Sequence, residues 1–262
     1  MARVSVNYED HIARVTLTRG DKMNALDDAM VDAILAAAEE VAASDARVVL
    51  LSGEGKSFCA GLDMASFAKM GQMADLESWL MDRTHHDANK MQEVAMVWRR
   101  LPMPVIAAVH GAVYGGGLQL ALGADIRIAA PDAKLAVMEM KWGLVPDMGG
   151  MALLPQLVRS DVLRLLTYTA TPIDAAKAEA WGMLTEVVED PMARALEIAT
   201  HIAAQSPAAI RAAKRLIETA EGPNDQAEVL LAESREQVTV IGKPEQMEVV
   251  MAQMQGRKPV FK

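Results

Sequence analysis

Two continuous apolar runs, each closed by a glycine, constrain this 262-residue chain more than any other feature. "RVVLLSG" (47–53) and "MPVIAAVHG" (103–111) show no alternation with polar residues, the pattern of strands that are wholly buried. A glycine-rich loop follows each of them, "EGKSFCAG" after the first and "AVYGGG" after the second. Strands of that kind need apolar cover, and the rest of the chain supplies it. "RVSVNYE" and "IARVTLT" alternate as half-buried strands joined by a short polar hairpin, and "DIRIAA", "KLAVM" and "LTEVVED" add shorter strands. Asp27 stands where it caps the apolar-periodic helix "DAMVDAILAAAEEVAA", and a long helical pattern runs from about Asp75 to Arg100.

After Gly150 the chain reads as almost all helix. "TPIDAAKAEAWG" has a capping residue and a terminal glycine, and Ser206 with Pro207 opens "SPAAIRAAKRLIETA". "NDQAEVLLAESREQVTVIG" and "PEQMEVVMAQM" complete a helical tail. Strand pairs alternating with single helices, then helices alone, imply an α/β layered domain with a C-terminal helical region.

A chain this long, 52% hydrophobic, can bury a substantial core. No apolar run reaches the roughly 20 residues of a membrane span, and the first residues lack a signal-peptide pattern, so a soluble cytoplasmic protein is expected. Cys59 is the single cysteine, which rules out an intrachain disulfide and fits a reducing compartment. The net charge of −9 and the lack of a long basic block argue against nucleic acid as a partner. No His/Cys/Asp group has metal-ligand spacing, so no metal is expected.

"HGAVYGGGLQLALGAD" raises the question of mechanism. Three glycines, Gly115, Gly116 and Gly117, stand where an apolar helix should begin, and each costs about 1 kcal/mol relative to alanine inside a helix. Two explanations compete. Bare backbone at a helix start presents unpaired N–H groups to a ligand oxygen. Close packing of helix on strand selects glycine equally well. Neither a dinucleotide fingerprint nor a Walker loop fits the spacing.

Taken together, "KMNALD", "SGEGKSFCAGLDM", "PVIAAVHGAVYGGGLQLALGADIRIAAPDAKLAV" and "GLVPDMGG" resemble the enoyl-CoA hydratase/isomerase, or crotonase, superfamily, in the right order over nearly the whole chain. The resemblance implies a crotonase-like spiral of ββα units over residues 1–200 and a helical trimerisation region over residues 201–262. The implied substrate is an acyl-CoA thioester, coenzyme A being part of the substrate rather than a separate cofactor. It also implies homotrimers, often paired into hexamers, and no membrane partner.

By motif position, the backbone N–H groups of Leu62 and Gly116 would hold the thioester oxygen as an enolate. Lys22, Ala25, Ala60 and Asp63 would line the CoA site. Typical hydratases carry two glutamates, one two residues after the glycine triplet and one twenty residues later. Here these positions are Gln119 and Glu139. Glutamine is neutral and cannot take a proton from water, though it can hydrogen-bond to a water or to the substrate.

Asp147 lies where typical hydratases have glycine. Dienoyl-CoA isomerases resemble the chain in having aspartate there and glutamate at the position of Glu139, and differ in having aspartate at the position of Gln119. The aryl-CoA dehalogenases place a nucleophilic aspartate at the same point as Asp147 but have tryptophan in place of Glu139. Catalysis by Glu139 and Asp147, with Gln119 beside them, makes double-bond isomerisation of an enoyl- or dienoyl-CoA the expected reaction. Hydration of a 2-enoyl-CoA, hydrolysis or dehalogenation through Asp147, and non-catalytic acyl-CoA binding are the alternatives. The bland readings are a surface carboxylate at Glu139, a turn-stabilising aspartate at Asp147, a buried small residue at Cys59, a structural Asp125, and His85 and His86 on a solvated helix.

Overall fold

The alternating N-terminal residues form the antiparallel hairpin β1 (Val4–Glu9) and β2 (Ile12–Leu17). In the computed structural model, which describes residues 2–66 and 71–261, this hairpin is the edge of a six-stranded sheet. The continuous apolar runs become β3 (Val48–Gly53) and β4 (Val105–Val109) at its centre. Beyond them lie β6 (Ile126–Ala129) and β9 (Glu186–Val187), and every pairing from β2 to β9 is parallel.

A second sheet, β5 (Ala112–Tyr114), β7 (Lys134–Ala136) and β8 (Ile173–Asp174), stands beside the first. The chain visits both sheets on each turn. β4 runs on into β5 and β6 into β7, while Cys59, shortly after β3, bridges Val113 of β5. This is the expected repetition of strand pairs wound into layers.

The lack of polar alternation in β3 and β4 has a direct cause: both faces are covered. Val48, Leu50, Ile106 and Ala108 point to one face, under the helix Pro191–Ala203, which meets them with Ala195, Ala199 and Ala203. Small residues on the helix let it lie close to the sheet. Val49, Leu51, Val105, Ala107 and Val109 point the other way, into the larger core with Phe58 and Trp98. Each fully buried valine or leucine contributes about 1.5–3 kcal/mol.

The helix Asp28–Ala42 closes that core, and its Asp27 cap accepts a hydrogen bond from the Met30 N–H at 2.8 Å, as expected. Ser206 likewise caps the helix Pro207–Glu221. That helix is tied to the sheet by buried Lys214, whose Nζ donates to the Met103 carbonyl at 3.1 Å and to Asp125 at 2.8 Å. Asp125 also accepts the Val105 N–H at 2.7 Å, so it is structural.

The tail ends in the helices Gln226–Val240 and Pro244–Met254. The first has no buried residue, and Leu230, Leu231, Val238 and Met254 are exposed along the two. Among the described residues no helix is long and apolar enough to cross a membrane.

The structure corrects one element. The helical pattern from Asp75 to Arg100 is two helices, Leu76–Met81 and Lys90–Arg100, separated by residues 82–89. The break has a local cause. Asn89 and Gln92 form a capping box that starts a new helix, and Asn89 also donates to the Leu80 carbonyl at 2.8 Å. His85 and His86 therefore lie in a turn, with a bridge between His85 and Ala88 and a left-handed His86 (φ 58°), and not on a helix.

Candidate active site

The geometry of the glycine triplet is compatible with both explanations, at different residues. A Cβ on Gly117 would lie 2.3 Å from the Cys59 carbonyl oxygen, so the helix Gly116–Leu122 can sit against that backbone only with glycine there. Gly116 is the first residue of the helix, and its N–H has no acceptor among the described residues. The Gly115 N–H, by contrast, is taken by the Ala136 carbonyl at 2.9 Å.

A second bare donor comes from the loop after β3. Leu62 pairs with Leu26 as an isolated bridge: the Leu26 N–H donates to the Gly61 carbonyl at 2.8 Å and the Asp63 N–H to the Leu26 carbonyl at 2.9 Å. The N–H of Leu62 itself is left without an acceptor among the described residues. The two loops touch. A Cβ on Gly61, which holds φ 91°, would stand 2.7 Å from the Tyr114 carbonyl oxygen and 3.6 Å from the Gly116 nitrogen. Two backbone donors on adjoining turns, one at a helix N-terminus, can polarise one ligand oxygen.

Behind this pair lie the side chains expected to carry chemistry. Gln119 is 2% exposed, and both ends of its amide are engaged. Its Oε1 accepts the N–H groups of Met148 (2.9 Å) and Gly150 (2.8 Å), and its Nε2 donates to Glu139 Oε1 at 2.6 Å. Backbone N–H groups only donate, so the orientation of the amide is fixed by its partners.

Glu139 opens a short 3-10 turn, Glu139–Trp142, and is half-buried, which removes the surface-carboxylate reading. Its Oε2 is buried with no hydrogen-bond partner among the described residues. Burial pushes its pKa above the usual carboxylate range, and the charge of Asp147 adds to the shift, against the opposing pull of its own backbone N–H and of Gln119. Asp147 lies on the turn that leads into Met148; the residue is exposed, yet enough protein surrounds its carboxyl for desolvation to raise its pKa too. Two carboxyls with raised pKa values beside bare backbone donors make an arrangement suited to moving protons.

Lys22, Ala25, Ala60 and Asp63 are brought to one edge by a network that the motifs did not reveal. The Ala60 N–H donates to the Met23 carbonyl at 2.9 Å. Arg19 reaches Asp63 at 2.7 Å and the Ala25 carbonyl at 2.9 Å. Asp63 is therefore engaged by Arg19. Its pKa is held below the usual range by the Ala65 N–H and then by Arg19. Lys22 extends from the 3-10 turn Gly20–Lys22 and is exposed.

Asn24 is the second residue that sequence reading missed. Fully buried and left-handed (φ 52°), it donates to the carbonyls of Glu54, Ser57 and Phe58 and accepts the Arg19 N–H at 2.9 Å. The one available signal was an asparagine shortly after Gly20 and Asp21, a residue type that tolerates that backbone conformation. Cys59 is fully buried, with its thiol pushed up to about 12 by desolvation, which fits a packing residue and not a nucleophile. Among the described residues no group of His, Cys, Asp and Glu could hold a metal ion.

The model of the enoyl-CoA hydratase/isomerase family matches residues 7–262. The chain is 33% identical over 97% of its length to the provisionally named enoyl-CoA hydratase/isomerase YngF of Bacillus subtilis (strain 168), covering 95% of that protein. It is 33% identical to the 1,2-epoxyphenylacetyl-CoA isomerase of Escherichia coli (strain K12) over 82% of the chain and 81% of the relative. It is 32% identical to the human mitochondrial Delta(3,5)-Delta(2,4)-dienoyl-CoA isomerase over 79% of the chain and 65% of the relative. The crystal structure of enoyl-CoA hydratase from Bacillus anthracis superimposes with a TM-score of 0.89, at 30% identity and with 99% of each chain covered. Fold, motif order and sequence therefore agree, and the chain is an enzyme of the enoyl-CoA hydratase/isomerase family, with the crotonase fold.

Proposed function

We propose that the enzyme isomerises a double bond in an enoyl- or dienoyl-CoA. The N–H groups of Leu62 and Gly116 hold the thioester oxygen. One carboxylate of the Glu139–Asp147 pair takes a proton from the carbon beside the thioester, and the electrons of that C–H bond move onto the oxygen as an enolate. The other member of the pair, protonated, returns a proton further along the conjugated chain, so the pair ends with the proton it began with. The observation that carries this reading is Gln119, whose amide is occupied at both ends where a typical hydratase has the first of its two glutamates. A hydratase of the two-glutamate type works with a carboxylate at each position, and this amide cannot stand in for the one that is missing.

The CoA moiety runs along the edge formed by Lys22, Ala25, Ala60 and Asp63, with Lys22 positioned for a phosphate. The exposed apolar residues Leu230, Leu231, Val238 and Met254 support assembly through the C-terminal helices into trimers or hexamers. Light scattering that found a fully active monomer would refute the assembly.

A panel of acyl-CoA substrates turned over in heavy water and read by mass spectrometry tests the reaction. Isomerisation gives products without the mass of an added water and with deuterium exchanged at carbon. Gain of one water throughout the panel would replace the proposal with hydration.

A further inference from the structure

Glu139 has two oxygens in different surroundings, and Gln119 makes the difference. Oε1 faces the Gln119 amide nitrogen at 2.6 Å, and Oε2 is buried with no partner among the described residues. The amide cannot turn over, because its oxygen is held by two backbone N–H groups, those of Met148 and Gly150. A group that only donates always faces Oε1. A proton on Oε1 along that line would meet the N–H hydrogens, so the proton of a protonated Glu139 belongs on Oε2.

The same amide joins Glu139 to the turn that begins at Asp147. Gln119 is packed into place as well: a Cβ on Gly150 would lie 2.7 Å from its Cγ, so glycine leaves just the room the side chain needs. We propose that Gln119 is a positioning residue, which confines the proton of Glu139 to Oε2 and holds the Asp147 turn in register with it. This rests on the proposal that Glu139 transfers a proton. The charge of Asp147 raises the pKa of Glu139, and the N–H groups of Glu139 itself and of Met138 pull the other way.

The test uses the full chain and two variants. Gln119→Met removes both functions of the amide. Gln119→Glu keeps an acceptor for the Met148 and Gly150 N–H groups but replaces the donor with a like charge. Thermal melting shows which variants are folded, and Gln119→Glu decides the matter should Gln119→Met fail to fold. The readouts are the titration of the Glu139 carboxyl by infrared difference spectroscopy, with the band assigned by its loss in Glu139→Gln, and the pH dependence of kcat and KM.

In a folded variant the Glu139 midpoint rises, because a donor to the carboxylate is lost, and for Gln119→Glu because a second negative charge is added. The acid limb of kcat moves up with it. In Gln119→Met, kcat at neutral pH falls about 10–100-fold, the worth of a hydrogen bond to a charged group, while KM changes little. A merely structural Gln119 would alter melting and KM and leave the titration where it is, and that result overturns the proposal. If the midpoint rises but Glu139→Gln keeps full activity, the positioning stands and the assignment of proton transfer to Glu139 falls.

Discussion

Gly117→Ala places a methyl group 2.3 Å from the carbonyl oxygen of Cys59 and 2.8 Å from its carbonyl carbon and Cβ. All three atoms are backbone or the first atom of a fully buried side chain, so no rotamer change relieves the overlap. Reaching an ordinary contact of 3.4 Å requires the start of the helix Gly116–Leu122 to retreat from the Cys59 segment by roughly 1 Å. Overpacking of this kind costs about 2–3 kcal/mol. In a reversible unfolding transition that is a fall in melting temperature of about 4–12 °C for a chain of this size.

The retreat also carries the Gly116 N–H away from that of Leu62, since Gly116 is the next residue and Leu62 is anchored through Leu26. A misplacement of about 1 Å in a reacting site can cost 10²-fold in rate. The expected result is a kcat lowered about 100-fold in a protein that still binds CoA, whose proposed contacts are on the Lys22 edge. The assays are a thermal melt and steady-state kinetics on an acyl-CoA that the parent turns over. A variant with kcat within about twofold of the parent and an unchanged melting temperature would show that the close approach does not set the donor's position, and the account of the triplet would fall.

Three further outcomes follow from the same geometry. Glu139→Gln and Asp147→Asn should each lower kcat about 10²–10⁴-fold with binding retained, and the double variant should lose far less than the product of the two, as measured by steady-state kinetics. The carboxyl pKa of Glu139 is raised in the folded protein by burial and then by Asp147, so the folded state keeps a proton that the unfolded chain has released. Its stabilising contribution is therefore present at acid pH and is lost as pH rises from the ordinary carboxylate value through the raised one. Glu139→Gln should lack that loss and gain stability relative to the parent as pH rises toward neutral, in urea unfolding at a series of pH values. Asn24→Ala strips partners from three carbonyls and one N–H and puts alanine at a positive φ, so it should cost about 2–4 kcal/mol in the same assay.

The elements and their order were legible in the amino-acid order, because they depend on neighbours a few residues apart. Uninterrupted apolar runs became β3 and β4, covered on both faces, and Asp27 and Ser206 cap the helices they precede. The family resemblance singled out Leu62 and Gly116, which the fold brings onto adjoining turns. The division of the 75–100 region was legible in principle, since asparagine and glutamine three residues apart are a capping signature, but the apolar period ran on through it and masked the break.

What each glycine and each polar side chain does depends on contacts that exist once the chain has folded. Gly117 and Gly116 differ because Cys59, from another turn of the chain, lies against one of them and leaves the N–H of the other bare. Gln119 reads as a lost catalytic base in the sequence. It becomes a buried strut once residues 20 to 31 positions further along the chain surround it with one acceptor and two donors. Arg19 and Asn24 drew no notice because Asp63 and the Glu54, Ser57 and Phe58 carbonyls that they meet lie on another loop, and a one-dimensional pattern carries no record of where a carbonyl points. The raised pKa values of Glu139 and Asp147 have the same origin. Desolvation is a property of the space around a group, and that space is made by the fold.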